Sequence, residues 1–260
     1  MGFTVSAEAY DRFMGRYSVL LAPELVSFAG PAAHGLVLDV GCGPGALTGE
    51  LVRRLGARSV VAADPAPGFV EAARERHGVR VEHAPAERLP FADDTFDAAL
   101  AQLVVHFMTD PVAGLREMAR VTRPGGVVAA CVWDHAGGTG PLSLFWEVVK
   151  ELDPGAPDES GLAGARAGHL AELFTAAGLG DVEEGSLSIA VEHAGFDDWW
   201  GPFLTGVGPA GGYVAALDDD RRERVRERCR ARLPEGAFTL TASAWAARGR
   251  VEPPGPDCSG

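Results

Sequence analysis

Residues 36–48 read LVLDVGCGPGALT. An apolar run carrying one aspartate, Asp39, stops at three glycines in alternate positions, Gly41, Gly43 and Gly45. A short apolar run ended by glycine is the mark of a strand buried on both faces. ALTGELVRRLG follows, with Leu47, Leu51 and Leu55 at four-residue spacing and Gly56 as a stop, so it predicts a helix. A strand that ends in bare backbone and turns into a helix aims free N–H groups at a ligand. The missing side chains let that ligand come close. Whatever else the chain does, it must build a sheet that delivers this turn to a binding crevice.

The following hundred residues do so. SVVAADP (59–65) reads as a second strand, GFVEAARERHG (68–78) as a helix closed by Gly78, and Val79 to His83 as a third strand. FDAALAQLVVHF (96–107) predicts a fourth strand. DPVAGLREMARVT (110–122) predicts a helix capped by Asp110 with Pro111 in its first turn. PGGVVAACVWD (124–134) predicts a fifth strand after a Gly-Gly turn. Unbroken strand–helix alternation argues an α/β fold with a parallel, doubly wound, Rossmann-like sheet.

Beyond Asp134 the pattern loosens. Helices are expected at 142–152 and 169–180, strands at 182–196 and 238–251, and an aromatic, glycine-rich stretch at 197–213. DDDRRERVRERCRARLP reads as a helix with acids first and arginines later, the order that suits a helix dipole. Val225, Cys229 and Leu233 form its apolar stripe, and the arginines read as a solvated face. The expected organisation is one domain over 1–252, with a helical lid at 1–30, a ligand-binding core at 36–134, acceptor-side insertions and final strands at 135–252, and a disordered tail at 253–260. No internal repeat is found.

Charge narrows the partners. The formal net charge is −13, which disfavours nucleic acid. Cys42, Cys131, Cys229 and Cys258 are scattered without metal-ligand spacing, so reduced thiols and no metal are expected. No apolar run approaches a membrane span, and the N-terminal residues lack a secretory pattern, so a cytoplasmic location is expected.

GCGPGA satisfies the G-x-G-x-x-A dinucleotide fingerprint, so NAD or FAD is one reading. Asp39 opposes it, because a carboxylate beside the glycine turn repels a pyrophosphate and attracts a cationic ligand. Asp64, at the end of the second strand, can accept hydrogen bonds from ribose hydroxyls and fits either ligand. Ala86-Glu87, in APAERLPFADDTFDAAL, is placed to receive an adenine edge.

VLDVGCGPG, VVAADPA, APAERLPFADDTFDAAL and VTRPGG, in that order, resemble the class I S-adenosylmethionine-dependent methyltransferases. Within them the chain resembles the small-molecule branch that includes the ubiquinone and menaquinone methyltransferases. The motifs cover roughly residues 36–134, and AYDRFMGRYS resembles that branch's cofactor-covering helix. The resemblance implies a seven-stranded sheet with an antiparallel last strand, S-adenosylmethionine as cofactor and S-adenosylhomocysteine as product. It implies that Asp39, Gly41, Cys42 and Gly43 border the methionine part, that Asp64 holds the ribose beside Pro65, and that Ala86 and Glu87 read the adenine. Gln102 and Leu103 would flank the amino group, with Tyr10 and Arg16 facing the carboxylate.

Methyl transfer needs proximity and orientation above all, because the donor is already activated. His106, beyond the fourth strand, is the candidate catalytic base; His135, beyond the fifth, is the alternative. His34, His77, His83, His169 and His193 read as surface residues. A mainly apolar small-molecule acceptor is expected, with an aromatic pocket from Phe13, Tyr17, Trp133, Phe145, Trp146, Trp199, Trp200, Phe203 and Tyr213. Transfer would go to O, N or C. A cofactor-binding protein or a non-methylating enzyme of this fold, such as a cyclase, is the other reading.

Overall fold

The computed structural model describes residues 7–32 and 35–253. His34, Cys258 and the expected tail beyond Pro253 lie outside the described residues.

Seven strands form one sheet: β1 (Val37–Val40), β2 (Val60–Asp64), β3 (Arg80–His83), β4 (Phe96–Gln102), β5 (Thr122–Trp133), β6 (Gly180–His193) and β7 (Phe238–Arg250). Their spatial order is β3-β2-β1-β4-β5-β7-β6. The first five run parallel, while β7 is antiparallel to both of its neighbours. The sheet is therefore the doubly wound, Rossmann-like one anticipated, with the last strand reversed. Winding changes direction between β1 and β4, so a crevice opens at their carboxyl ends, where open α/β sheets bind ligands.

Strand periodicity divides the core. Val37, Leu100 and Cys131 face helices Arg16–Ala29, Ala46–Leu55 and Pro67–His77. Leu38, Val40 and Ala99 face helices Pro111–Val121 and His169–Ala176. β1 and β2 are buried along their whole length, which explains their continuous apolar runs.

Several boundaries differ from expectation for local reasons. β4 ends at Gln102 rather than continuing to 107, because Leu103 turns into the left-handed region at φ +60°. Its N–H still donates to Cys131 O at 2.9 Å. β5 begins at Thr122, which pairs with Phe96 ahead of a register shift near Val127. The arginine-rich helix spans Asp219–Arg230, with the Asp218 carboxylate accepting the Arg221 N–H at 2.8 Å; Val225 and Cys229 are buried and Leu233 lies past its end.

The N-terminal segment is less of a lid than its sequence suggests. Helix Arg16–Ala29 buries Tyr17, Leu21, Ala22, Leu25, Val26 and Ala29 against the sheet. The turn Ala7–Tyr10 and the π-helical turn Asp11–Gly15 precede it. If this helix is core, Leu21→Ala leaves a cavity in a fully buried site and is expected to cost about 2–5 kcal/mol in urea unfolding. A cost below about 0.5 kcal/mol would mean a detachable helix.

Candidate active site

The crevice holds a cavity of about 90 Å³ against the carboxyl ends of β1, β2 and β4. Its floor is the glycine turn. Gly41 and Cys42 both donate their N–H to Ala63 O, at 2.7 and 3.1 Å, so the turn leaves the sheet hooked onto β2. Gly41 has φ +69°, and a Cβ there would stand 2.5 Å from the Val104 methyls. Gly43 has φ +53°, and a Cβ there would meet nothing within 4 Å. Glycine is thus required at 41 by packing, and the space above 43 is left open.

Two carboxylates shape the polar side. Asp64 accepts the Gly43 N–H through Oδ2 and the Ala66 N–H through Oδ1, both at 2.8 Å, and burial raises its pKa. Asp39 accepts the Thr48 hydroxyl at 2.6 Å through Oδ2, while its buried Oδ1 has no partner. Burial pushes the Asp39 carboxyl up to about 7, against the lowering effect of the Thr48 bond. Gln102 donates its amide N–H to Ser18 O at 2.9 Å, and its Oε1 is likewise buried without a partner. Two orphaned acceptors therefore belong to residues lining one cavity. The Cys42 thiol is held protonated by burial and by Asp39 and Asp64 beside it.

Of the residues singled out from sequence, Tyr10, Asp39, Gly41, Cys42, Gly43, Asp64, Pro65, Gln102 and Leu103 line this cavity. Arg16 does not. Its guanidinium pairs with Asp198 at 3.0 Å and donates to His193 Nδ1 at 3.0 Å. A neighbouring carboxylate from helix Phe196–Trp200 takes the fork expected to hold a ligand carboxylate. Ala86 and Glu87 also stand outside the lining. Ala86 is packed in the core, and Glu87 Oε1 accepts the Thr109 N–H at 2.7 Å, shaping the entry to helix Pro111–Val121. His193, expected at the surface, is 2% exposed. Since arginine only donates, His193 Nδ1 is an acceptor, and its Nε2–H donates to the Tyr17 hydroxyl at 3.3 Å.

A second cavity of about 40 Å³ adjoins the first and shares Tyr10, Leu103 and Phe107 with it. His106, Trp133, His135 and Glu159 lie in its wall. Burial, helped by His135, pulls the His106 pKa down to about 3; burial pulls His135 down to about 4. Both rings are neutral near pH 7, their centroids 6.1 Å apart. Glu159 accepts the Trp146 indole N–H at 2.8 Å, and burial raises its pKa. Most of the expected aromatic pocket is instead packed core: Phe145, Trp199, Trp200 and Phe203 are at most 3% exposed and pack among themselves. Phe13 and Trp133 do reach the cavity; Tyr17 is core, and Tyr213 borders a separate surface groove. Glu159 was not singled out from sequence, where GAPDESG reads only as a polar loop.

A family profile described as a methyltransferase domain matches residues 38–130. An uncharacterized protein of Mycobacterium bovis is 30% identical over 215 residues, covering 78% of this chain and 77% of that one. The chain belongs to the methyltransferase family. A demethylmenaquinone methyltransferase of Mycobacterium sp. (strain KMS) is 39% identical over 151 residues, 58% of this chain but only 61% of that relative's length. Among solved structures, the geranyl diphosphate C-methyltransferase of Streptomyces coelicolor, in complex with S-adenosyl-L-homocysteine, shares the fold at a TM-score of 0.53 and 16% identity, covering 91% of this chain and 80% of that one. No helix among the described residues of this methyltransferase-family chain is long and apolar enough to cross a membrane.

The neutral, half-buried His106 and His135 rings make stability depend on pH. In the unfolded chain their pKa returns to about 6.5, so unfolding takes up protons below that pH and stability falls as pH falls. Between about pH 6 and 4.5 each ring is expected to contribute about 1.4 kcal/mol per pH unit. His106→Gln should remove one ring's share from the slope, read by urea unfolding across that range. An unchanged slope would place the ring in water.

Proposed function

We propose that this protein transfers a methyl group from S-adenosylmethionine to an O, N or C atom of a mainly apolar small molecule. The observation that carries the reading is the pair of orphaned buried acceptors, Asp39 Oδ1 and Gln102 Oε1, in the wall of the glycine-floored cavity. Acceptors without donors call for a ligand that brings N–H groups, such as an ammonium, and a pyrophosphate brings none. When bound, S-adenosylmethionine supplies a methyl group already activated on a sulfonium.

The chain's own residues then bind, cover and orient. Asp39 and Gln102 accept from the amino group, and Gly41 to Gly43 border the methionine part with bare backbone. Asp64 keeps spare lone pairs on both oxygens for ribose hydroxyls beside Pro65. Tyr10, edge-on to Phe69 at 5.6 Å, closes the cavity from the N-terminal side. The acceptor enters the second cavity and meets the first at Leu103 and Phe107. His106 serves there as a neutral hydrogen-bond partner. A ring with a pKa near 3 has little drive to abstract a proton, so positioning carries most of the rate enhancement.

Two measurements test the reading. Asp39 with a pKa near 7 must lose its proton to hold an ammonium. S-adenosylhomocysteine should therefore bind up to about tenfold more weakly per pH unit as pH falls below 7, and release a proton on binding. Calorimetry from pH 5.5 to 7.5 reads both, and Asp39→Asn should flatten the profile while weakening binding. Separately, Gly43→Ala costs about 1–2 kcal/mol of backbone strain but should leave the protein folded and fill the space over the turn, abolishing that binding. Tight binding by folded Gly43→Ala would move the ligand elsewhere.

A further inference from the structure

Asp134 stands just past the end of β5, 6% exposed, and lines neither cavity. Its carboxylate nevertheless collects three hydrogen bonds. Oδ1 accepts the Gly137 N–H at 2.8 Å and the Trp245 indole N–H at 2.9 Å, and Oδ2 accepts the Thr139 hydroxyl at 2.7 Å. Two of these donors belong to the turn that follows β5, and the third belongs to β7. The backbone doubles the attachment. Asp134 N–H donates to Ser243 O at 3.0 Å, and Ser243 N–H donates to Thr139 O at 2.8 Å.

We infer that Asp134 is the positioning residue of the second cavity, fixing His135 in its wall directly and the Glu159 segment by way of Ala136. The inference rests on the methyltransferase reading only in that it makes this wall the acceptor's.

The route runs through bonded neighbours. His135 follows Asp134 in the chain, and it lines the cavity while Ala136 to Thr139 lie exposed. An exposed turn without an anchor opens readily, and the ring beside it would move with it. Ala136 N–H donates to Ala165 O at 3.1 Å. Ala165 N–H then donates to Leu162 O, and Leu162 N–H to Glu159 O, both at 3.2 Å. The anchored turn thus braces the segment that brings Glu159 to the same cavity. Glycine at 137 belongs to the arrangement, since a Cβ there would collide with the Asp134 carboxylate.

The charge of Asp134 and its hydrogen bonds act on His135 in opposite directions. Burial lowers the pKa of the ring, and the negative charge works against that lowering. Loss of the charge alone would keep the ring neutral to still lower pH. Release of the turn would admit water and carry the ring back toward the ordinary histidine value of roughly 6.5. Asparagine separates the two effects. Its carbonyl still accepts at Oδ1, and its amide can donate to the Thr139 hydroxyl, which turns to accept. The other titratable groups facing the ring are His106, 6.1 Å away between centroids, and Glu159 in the same cavity wall.

NMR on the full chain tests this. The His135 ring C–H signals, assigned by their absence in His135→Gln, are followed from pH 7.5 to 5, together with indole N–H exchange with water. In the wild-type protein His135 should stay neutral throughout. In Asp134→Ala its midpoint should rise above about 5.5, and the Trp146 indole N–H, which Glu159 accepts, should exchange about tenfold faster or more. Asp134→Asn should match the wild type in both. If Asp134→Ala does not fold, Thr139→Val removes one of the three bonds from an exposed position and should give a midpoint above about 5 and exchange about threefold faster. The inference is overturned if wild-type His135 titrates in this range, or if the ring stays neutral in the folded Ala or Val variant, as a lost charge alone would leave it. It is equally overturned if Trp146 exchange is unchanged, or if Asp134→Asn behaves like Asp134→Ala. Calorimetry with S-adenosylhomocysteine on the same proteins separates the readings. Failure of the wild type to bind overturns the methyltransferase reading and leaves the role of Asp134 in the cavity standing. Loss of binding in Asp134→Ala alone overturns this inference, because a residue outside the first cavity should change that affinity less than about threefold.

Discussion

The Asp64 carboxylate holds the ligand-binding end of this sheet together. It sits at the tip of β2 and receives N–H groups from Gly43 on one side and Ala66 on the other. The glycine turn after β1 and the start of helix Pro67–His77 are thereby tied to one side chain. The turn needs such a tether because Gly41, Gly43 and Gly45 all have positive φ and contribute no side chains of their own. Asp39 then meets Thr48 from helix Ala46–Leu55, so strand, turn and helix share two buried carboxylates. Burial makes both reluctant to ionise, and a cationic ligand would relieve that cost.

The two cavities meet at a strained residue. Leu103 is a γ-branched side chain at φ +60°, a conformation that costs energy away from glycine. The strain turns β4 out of the sheet, so one residue faces both cavities and His106 falls beyond the strand rather than within it. The parallel sheet thus supplies a wall common to the two cavities. Tyr10 and Phe107 also line both cavities.

The sequence was legible where local pattern dictates structure. Strand ends, glycine turns and the acids at the tips of β1 and β2 follow from periodicity over a few residues, and these residues line the first cavity. Where Arg16 and Glu87 point is not legible, because their partners are invisible along the chain. Asp198 lies 182 residues from Arg16, and Glu87 is satisfied by backbone N–H groups that no residue type announces. Aromatic content likewise cannot separate a pocket wall from a packed interior. Phe13 and Phe145 look alike in sequence, and the stacking of Phe145 on Phe203 at 4.7 Å is decided only by tertiary packing. His193 was expected at the surface because a strand end reads as exposed until a helix covers it.

The anchoring of Arg16 sets how the crevice can open. Its guanidinium, with Asp198 and the fixed tautomer of His193, pins the first turn of helix Arg16–Ala29 to the far side of the sheet. Ahead of that pin lie only the π-helical turn Asp11–Gly15 and the turn Ala7–Tyr10 among the described residues, held by the Asp11–Arg76 pair at 2.8 Å and by the rings of Phe13 on Phe203 and Tyr10 on Phe69. A π-helical turn is a less regular, locally widened form of helix, and the ion pair is half-exposed and weak. Unwinding these two short turns would lift Phe13 from Phe203 yet leave the hydrophobic interior beneath the longer helix undisturbed.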